Sequence, residues 1–310
     1  DSEAIPLQPS IRRGAGCAVP DADDRAMQKR QTGPGAPRST KRRAEDGNSV
    51  RRYQLLHTDH GHMLCDADDT YVGKALWSLG HYSGDEMMLM CQLIEPDWVV
   101  VEAGAHIGTM TVPMARKCRM LVAFEPQRLI FQMLCANLAL NGIFNVRAFE
   151  QALGEVDGQC LVPTGGEQNT GGVTLKGVTE GDPVARRAID ALGLPRLDLL
   201  KADVEGMELE VLRGARNTIA AYRPLLYLES AADHEPLLSE LEALGYDAYW
   251  HFPKLIIELR NSVPTMVVSM NLLCYPKERA ARVEGLEAAR SGDQALVVAD
   301  RQRRASRTAA

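Results

Sequence analysis

Short apolar segments alternate with amphipathic segments through the middle of the chain. Several apolar segments are continuous runs of the kind that is buried on both faces of a parallel sheet. The strands predicted from them are Val99–Glu102, Leu121–Glu125, Val146–Phe149, Leu197–Lys201 and Leu225–Glu229. The helices predicted between the strands are Thr109–Lys117, Arg128–Asn141, Met207–Ala221 and Glu235–Leu244. This alternation predicts an α/β fold, with a mostly parallel sheet, helices on both faces and ligands at the carboxyl ends of the strands.

The composition changes at both ends of the chain. Residues 1–52 contain no aromatic side chain and few apolar ones, so they are predicted to form a disordered, basic, Pro- and Gly-rich arm. The basic run Lys41–Arg43 suggests an RNA or protein partner, but interspersed acids favour a solvated linker. Residues 53–277 are the predicted folded domain. Residues 278–310 are expected to be a charged, partly disordered tail with a short helix at Glu278–Arg290.

Composition and charge exclude several classes of protein. The chain of 310 residues is 45% hydrophobic and 25% charged with a net charge of −6, which disfavours nucleic acid and anionic membranes as partners. No apolar stretch reaches the ~20 residues of a membrane-spanning helix, and the first thirty residues lack the apolar core of a signal peptide. The seven cysteines form no CxxC pair. We expect a cytoplasmic protein whose partner is a small-molecule or glycan acceptor, of undetermined oligomeric state.

The turn after the first predicted strand has the features of a nucleoside site. It reads EAGAHIG, with Glu102 at the end of the strand, glycines at 104 and 108, and a helix opening at Thr109. Glycines let the backbone approach a ligand, and a helix N-terminus offers free N–H donors. A dinucleotide site has the spacing G-x-G-x-x-G, which this turn lacks. An acid before the first glycine would repel phosphate and attract an ammonium group.

A second acid, Glu125, follows about twenty residues later at the end of the second predicted strand. A carboxylate at that position can accept both hydroxyls of a ribose. The alternative is an acid at a helix N-terminus, ahead of Pro126. Taken together, Glu102, Gly104, Gly108 and Glu125 predict a pocket for a cationic amino acid joined to a nucleoside, which is S-adenosyl-L-methionine.

Longer motifs extend this interpretation over roughly His60 to Glu278. They are EAGAHIGTMTVPMAR, VAFEPQRLIFQMLCANLALNG, RLDLLKADVEGMELEVLRGA, RPLLYLES, YWHFP and SMNLLCYP. In this order they resemble the FkbM family of S-adenosylmethionine-dependent methyltransferases. The resemblance implies a class I methyltransferase, Rossmann-like fold with a seven-stranded sheet whose last strand is antiparallel. It also implies O-methylation of a hydroxyl on a sugar or secondary metabolite.

The resemblance also implies individual roles. The family's Asp-Val-Gly-Ala-Asn-Ile-Gly appears here with Glu102 for the Asp and His106 for the Asn. The first change lengthens the reach of the acid, and the second places a bulkier ring at the cofactor. The stretch 252–268 is shorter than is typical of the family and is expected to cover the acceptor. The residues expected to bind the cofactor are Tyr71, Glu86, Glu102, Gly104, Ala105, His106, Gly108, Glu125, Pro126, Gln151 and Asp203.

The candidate catalytic residues are Asp203, Glu205 and His251. The two carboxylates follow the fourth predicted strand two residues apart, and an extended backbone would point both the same way. One of them would act as general base, or both would share a divalent cation with Glu229. Alternatively, Asp203 only orients the methionine amine and Glu205 caps the next helix. A divalent cation is therefore conceivable, but no metal ligand is assigned.

Histidines give weaker predictions. His251 titrates near working pH and is a second candidate base, or else a hydrogen-bonded histidine behind Trp250 and Phe252. The cluster of His57, His60 and His62 lacks a fourth ligand at a suitable spacing, so a zinc site is not expected there.

Three other functions compete with an O-methyltransferase. Glu102, His106 and the short 252–268 region are compatible with a binding or scaffold protein that keeps the fold but has lost turnover. The basic arm would suit an RNA methyltransferase, although the chain lacks an N-P-P-Y or D-P-P-Y segment. A nicotinamide dehydrogenase ranks last because of the glycine spacing.

Overall fold

A computed structural model describes residues 52–164, 169–230, 234–259, 263–279 and 285–293. The described chain begins with an antiparallel hairpin of strands β1 (Tyr53–Thr58) and β2 (Gly61–Asp66), followed by helices α1 (Val72–Leu79) and α2 (Gly84–Leu93). The later elements follow in chain order. They are β3 (Val99–Ala103), α3 (Thr111–Ala115), β4 (Met120–Phe124), α4 (Arg128–Leu140), β5 (Val146–Phe149), β6 (Ala152–Leu153), β7 (Gly158–Val162), β8 (Asp182–Arg187), β9 (Leu199–Ala202), α5 (Glu208–Arg213), α6 (Arg216–Tyr222), β10 (Leu225–Glu229), α7 (Glu235–Ala243), β11 (Tyr246–His251), β12 (Lys254–Leu259), β13 (Val263–Val268), β14 (Asn271–Pro276) and β15 (Glu287–Ala288).

The central sheet has the strand order β5-β4-β3-β9-β10-β14-β11-β15. Strands β5, β4, β3, β9 and β10 are parallel to their neighbours, and β14 runs antiparallel to both β10 and β11. The first seven strands of this order are the class I methyltransferase sheet that the family resemblance implies, including its antiparallel last strand. The two-residue strand β15 adds an eighth at the edge.

Alternate residues of the strands supply two apolar cores, one on each face of the sheet. Val100 and Leu121 belong to one core, with residues of α2, α3 and α4, while Val101 and Val122 belong to the other, with residues of α5, α6 and α7. Because the parallel strands are covered on both sides, their sequences are continuous apolar runs. This layering leaves the carboxyl ends of the strands open for a site.

The predicted strands and helices are confirmed to within about two residues at most of their ends, with two exceptions. The predicted helix Met207–Ala221 is two helices, α5 and α6, separated at Gly214. A Cβ at Gly214 would lie 2.0 Å from the carbonyl oxygen of Gly154, so the chain bends there against a neighbouring backbone. The helix expected at Glu278–Arg290 is wrong where that range is described: Glu287–Ala288 pair with β11 instead.

Residues 285–293 pack onto the sheet through Asp293. Its carboxylate accepts a hydrogen bond from Trp250 Nε1 at 3.0 Å, and its carbonyl oxygen lies 2.9 Å from His234 Nε2. The predicted disordered arm, apart from Arg52, and the end of the predicted tail lie outside the described residues. Among the helices of the described part, none has the length and apolarity needed to cross a membrane.

Two asparagines, one in α4 and one directly after it, dock the β1–β2 hairpin on the domain. The Asn137 Oδ1 accepts from the Leu64 N–H at 2.6 Å, and its Nδ2 donates to the carbonyls of Leu64 and Ile107 at 3.1 and 2.8 Å. One turn later, Asn141 makes the same pair of bonds with the main chain of His62, at 3.0 and 2.7 Å. The two amides thus continue the hydrogen-bond ladder of β2 in place of another strand, and Asn137 also ties it to the loop after β3.

Candidate active site

A cavity of about 340 Å³ opens at the carboxyl ends of the parallel strands β3, β4, β9 and β10. This volume falls within the roughly 300–1,000 Å³ of small-molecule sites. The predicted cofactor residues line it with one exception, Gly108. Those that do are Tyr71, Glu86, Glu102, Gly104, Ala105, His106, Glu125, Pro126, Gln151 and Asp203.

The loop after β3 forms the floor of the cavity. Gly104 has a φ of 79°, and a Cβ there would lie 1.9 Å from the Asp203 carbonyl oxygen, so this position requires glycine. Gly108, with a φ of 89°, faces Leu134 on the core side, 2.8 Å from the place of a Cβ. It shapes the turn without lining the cavity. Between them, His106 adopts a φ of 48°, a region that histidine enters more readily than most residues.

Glu125 lies just past the end of β4 and is 3% exposed. Its Oε2 accepts from the His106 N–H at 2.9 Å, and its Oε1 accepts from the Gln127 N–H at 2.8 Å. Burial raises the pKa of Glu125 to about 7, against the opposing effect of these hydrogen bonds. Each carboxylate oxygen keeps a further lone pair. The carboxylate can therefore still accept two hydroxyl groups.

Glu102 is buried at the end of β3, at 1% exposure. Its Oε2 accepts from the Thr111 hydroxyl at 2.7 Å, whereas its Oε1 has no hydrogen-bond partner. Burial raises the pKa of Glu102 to about 7, while Lys201 acts in the opposite direction. A buried carboxylate oxygen without a partner at a cavity wall is an acceptor for a cationic donor.

Lys201 is the positive charge among the acids of the cavity wall, and it is 2% exposed. Its Nζ lies 3.3 Å from Asp203 and 3.6 Å from Glu86. Although burial opposes it, these two acids raise the pKa of Lys201 above its ordinary value. Burial raises the pKa of Glu86 in turn, and the Lys201 charge counters that rise.

Asp203, Glu205 and Glu229 converge at the ends of β9 and β10. One carboxylate oxygen from each lies within 4.8 Å of the others, the single group among the described residues with this geometry. The Asp203 charge and burial raise the pKa of Glu229 far above 4.5, and its carboxyl hydrogen-bonds to Asp203. Burial raises the pKa of Glu205 to about 7, and Asp203 adds to that rise. The arrangement can hold and exchange a proton near neutral pH.

A segment after β7 closes the cavity on the side of Glu125. Asn169, Gly171, Gly172, Val173 and Leu175 line it. Thr170 anchors the segment: its hydroxyl and its N–H donate to Asp69 Oδ2 at 2.8 and 3.1 Å, and His106 Nε2 lies 2.9 Å from its hydroxyl oxygen. The side-chain amide of Gln127 donates to the Thr170 carbonyl at 3.0 Å.

His251 is not among the residues that line the cavity. Its Nδ1 is hydrogen-bonded to the Tyr227 hydroxyl at 2.8 Å, and burial lowers its pKa to about 4. This geometry matches the alternative interpretation of His251 as a hydrogen-bonded histidine rather than as a general base. The rings of His57 and His62 pack edge to face at 5.0 Å on the β1–β2 hairpin, away from the acidic group.

Four residues of the site were not assigned from the sequence. Lys201, Tyr82 and Asn271 line the cavity, and Thr170 links its closing segment to His106. The sequence signal for Lys201 was its place two residues before Asp203. Nothing local distinguishes Thr170, whose partner Asp69 lies a hundred residues away.

Comparison with known proteins agrees with this architecture. Residues 102–248 match the family model described as the methyltransferase FkbM domain. This match covers just under half of the chain, and over it the chain is similar to the FkbM methyltransferase family. The FkbM domain contains the loop after β3, Glu125 and the three carboxylates at the ends of β9 and β10.

Individual relatives match only part of the chain. Methyltransferase 1 from Beauveria bassiana is 34% identical in an alignment 146 positions long that covers 38% of this chain and 58% of that protein. Methyltransferase sdnD from Sordaria araneosa is 33% identical in an alignment 155 positions long that covers 37% of this chain and 59% of that protein. The chain thus spans less than two thirds of both curated relatives. The crystal structure of methyltransferase FkbM from Methylobacillus flagellatus KT matches with a TM-score of 0.40 and 19% identity, over 58% of this chain and 44% of that one.

Proposed function

We propose that this protein is an S-adenosyl-L-methionine-dependent O-methyltransferase that acts on a neutral hydroxyl of a small molecule or glycan. The observation that supports the proposal most is the pair of buried acids on one cavity wall, Glu102 with an unpartnered oxygen and Glu125 with its hydrogen-bonded carboxylate. Their chemistry matches the two polar ends of this cofactor.

The chain's own residues fit the cofactor at both ends. Glu125 would accept a hydrogen bond from the ribose, since its oxygens keep free lone pairs. The unpartnered Glu102 Oε1 would accept a hydrogen bond from the ammonium group of the cofactor. This cationic group needs an acidic partner, which a phosphate-binding loop would not provide. When bound, the cofactor supplies a methyl group activated by a sulfonium.

The charge of the cavity supports a neutral acceptor. The lining residues include one lysine, Lys201, which pairs with Glu86 and Asp203. The acids among them are Glu86, Glu102, Glu125, Asp203, Glu205 and Glu229. A phosphate or carboxylate on the acceptor would enter against this field and would lose its hydration without a cationic partner. The same argument disfavours nucleic acid as the substrate.

Proton removal from the acceptor hydroxyl is assigned to Glu205. A general base works best when its pKa is near the working pH, and the pKa of Glu205 is raised to about 7. Glu229, protonated at neutral pH, donates to Asp203, and Lys201 pairs with Asp203 from the other side. These contacts hold Asp203 beside the base while the hydroxyl proton passes to the Glu205 carboxylate.

Calorimetric titration with S-adenosylhomocysteine, followed by turnover assays, tests the proposal. We expect binding by the wild type and a loss of at least tenfold in affinity for Glu125→Ala, because a buried charge-assisted hydrogen bond contributes about 1.5–3 kcal/mol. With a panel of neutral glycosides, Glu205→Gln should bind S-adenosylhomocysteine normally and form little product. Failure of the wild type to bind would reject the proposal, and binding without product on any acceptor would favour the scaffold alternative.

A further inference from the structure

The ring of His106 has one satisfied and one unsatisfied nitrogen. Its Nε2 lies 2.9 Å from the Thr170 hydroxyl oxygen, whereas its Nδ1 is buried and has no hydrogen-bond partner. His106 is among the residues that line the cavity, as are Gly104 and Glu125. The main-chain N–H of the same residue donates to Glu125 Oε2 at 2.9 Å. His106 therefore touches both the closing segment and the acid assigned to the ribose.

The surrounding hydrogen bonds fix which nitrogen carries the proton. Asp69 Oδ1 accepts from the N–H groups of Tyr71 and Gly73, both at 3.1 Å, and its Oδ2 accepts from the N–H and hydroxyl of Thr170. A carboxylate that accepts four hydrogen bonds has no proton to give. The single hydroxyl proton of Thr170 is thus committed to Asp69, so its oxygen must accept from His106.

It follows that Nε2 carries the proton of the neutral imidazole and Nδ1 presents a bare lone pair. Burial lowers the pKa of His106, which keeps the ring neutral at physiological pH. An unpaired buried acceptor is costly unless a donor reaches it. At this cavity wall, next to Glu125, the missing donor has to come from the bound molecule.

We propose that His106 Nδ1 accepts a hydrogen bond from one ribose hydroxyl of the S-adenosyl cofactor while Glu125 accepts from the other, and that Thr170 and Asp69 are positioning residues that hold the imidazole in the Nε2–H tautomer. The inference rests on the proposed function and adds to it a specific binding atom. It also gives the closing segment a role, because Thr170 joins that segment to the cofactor site through the same imidazole.

A matched pair of substitutions separates the two nitrogens. An asparagine places its Oδ1 near the position of Nδ1, and a glutamine places its amide near the position of Nε2. His106→Asn should keep the acceptor and bind S-adenosylhomocysteine within about threefold of wild type. His106→Gln should keep the bond to Thr170, lose the acceptor and bind about tenfold more weakly. Thermal melting checks that both variants fold, since φ at this position favours asparagine over glutamine.

Deoxy analogues of the ligand identify the donor. Calorimetry of wild type and His106→Gln with S-adenosylhomocysteine and its 2′-deoxy and 3′-deoxy analogues forms a double-mutant cycle. For one analogue, the loss of affinity in wild type should be about tenfold larger than in His106→Gln, while Glu125 contributes equally to both. Thr170→Val should weaken binding about threefold in wild type and have no effect in His106→Asn.

The outcomes distinguish this inference from the proposed function. No binding of S-adenosylhomocysteine by wild type would overturn both. Binding by wild type with equal losses for both analogues in wild type and His106→Gln would overturn the inference alone, because Nδ1 would then be satisfied by water or protein. An unchanged affinity of Thr170→Val would overturn the tautomer assignment.

Discussion

Left-handed backbone conformations occur in both of the loops that meet beneath the cavity. Gly104 and His106, with φ of 79° and 48°, lie in the loop after β3, and Glu205 and Gly206, with φ of 54° and 93°, lie in the loop after β9. Such angles cost an L-residue with a side chain roughly 1–2 kcal/mol. In this conformation of Glu205, a carboxylate oxygen lies within 4.8 Å of carboxylate oxygens of Asp203 and Glu229.

Substitution of the two glycines separates backbone strain from steric contact. Both are left-handed, but a Cβ at Gly104 would lie 1.9 Å from the Asp203 carbonyl oxygen, whereas nothing lies within 4 Å of a Cβ at Gly206. In urea denaturation, Gly206→Ala should lower the free energy of unfolding by about 1–2 kcal/mol. Gly104→Ala should lower it by about 3 kcal/mol or more, because the β9 loop has to move as well. Equal losses would show that the close approach is not a constraint.

Individual site residues were predictable where a motif fixes them to a strand end. The acids Glu102, Glu125 and Asp203 were predicted because each lies at the end of an apolar run, and all three line the cavity. Lys201 was not predicted as a site residue, because a lysine is usually expected to be exposed. Its burial depends on the acids that surround it. His251 follows a strand too, yet its contact with Tyr227 depends on β11 and β10 being separated by β14.

At the scale of secondary-structure elements, the hydrogen bonds from the side chains of Asn137 and Asn141 to the main chain of β2 attach the first hairpin to the domain. Asn137 is fully buried and satisfies three main-chain groups, while the bonds of Asn141 to His62 are exposed to solvent. One of the groups held by Asn137 is the Ile107 carbonyl, in the loop after β3. The attachment of the hairpin and the shape of the cavity floor are therefore coupled.

Alanine substitutions compare the contributions of the buried Asn137 and the solvent-exposed Asn141 to stability. Asn137→Ala leaves the N–H and carbonyl of Leu64 and the carbonyl of Ile107 without a partner inside the protein, so we expect a loss of about 3 kcal/mol in the free energy of unfolding. Asn141→Ala should lose about 1 kcal/mol, because water replaces the amide. Guanidinium denaturation measures both. A loss for Asn141→Ala as large as that for Asn137→Ala would contradict the burial argument.

At this scale the sequence pattern predicted the elements that form the core of the sheet and missed those attached to it. Strands β3, β4, β9 and β10 are buried on both faces and almost entirely apolar, so their signal is strong. The hairpin β1–β2 and the small sheet of β6, β7 and β8 each cover one side of the domain with mixed residues, and their pattern is not distinct from that of a loop. The break between α5 and α6 depends on the close approach of Gly154, which no local pattern contains.

In the molecule as a whole, several acids of the cavity lie in an environment that disfavours their charged forms. Burial raises the pKa values of Glu102, Glu125 and Glu205 to about 7, above the ordinary value of 4.5. Between these values the folded protein binds more protons than the unfolded chain, so each acid lowers stability as pH rises through this window. Buried His60, His106 and His251 have lowered pKa values and act in the opposite direction below 6.5. Total stability therefore cannot isolate either group.

A difference measurement isolates one acid. Glu102→Gln resembles the protonated side chain and can keep the bond to the Thr111 hydroxyl, while the histidines and other acids are common to both proteins. At pH 5 both proteins should have similar free energies of unfolding, because Glu102 is then mostly neutral in the folded state. At pH 8 the variant should be more stable than wild type by roughly 2 kcal/mol, since a pKa shift of one unit corresponds to 1.36 kcal/mol. Urea denaturation at the two pH values gives both differences. If the variant gained nothing at pH 8, the Glu102 charge would already be compensated by Lys201, and the unpartnered Oε1 would not be the acceptor that attracts a cationic ligand.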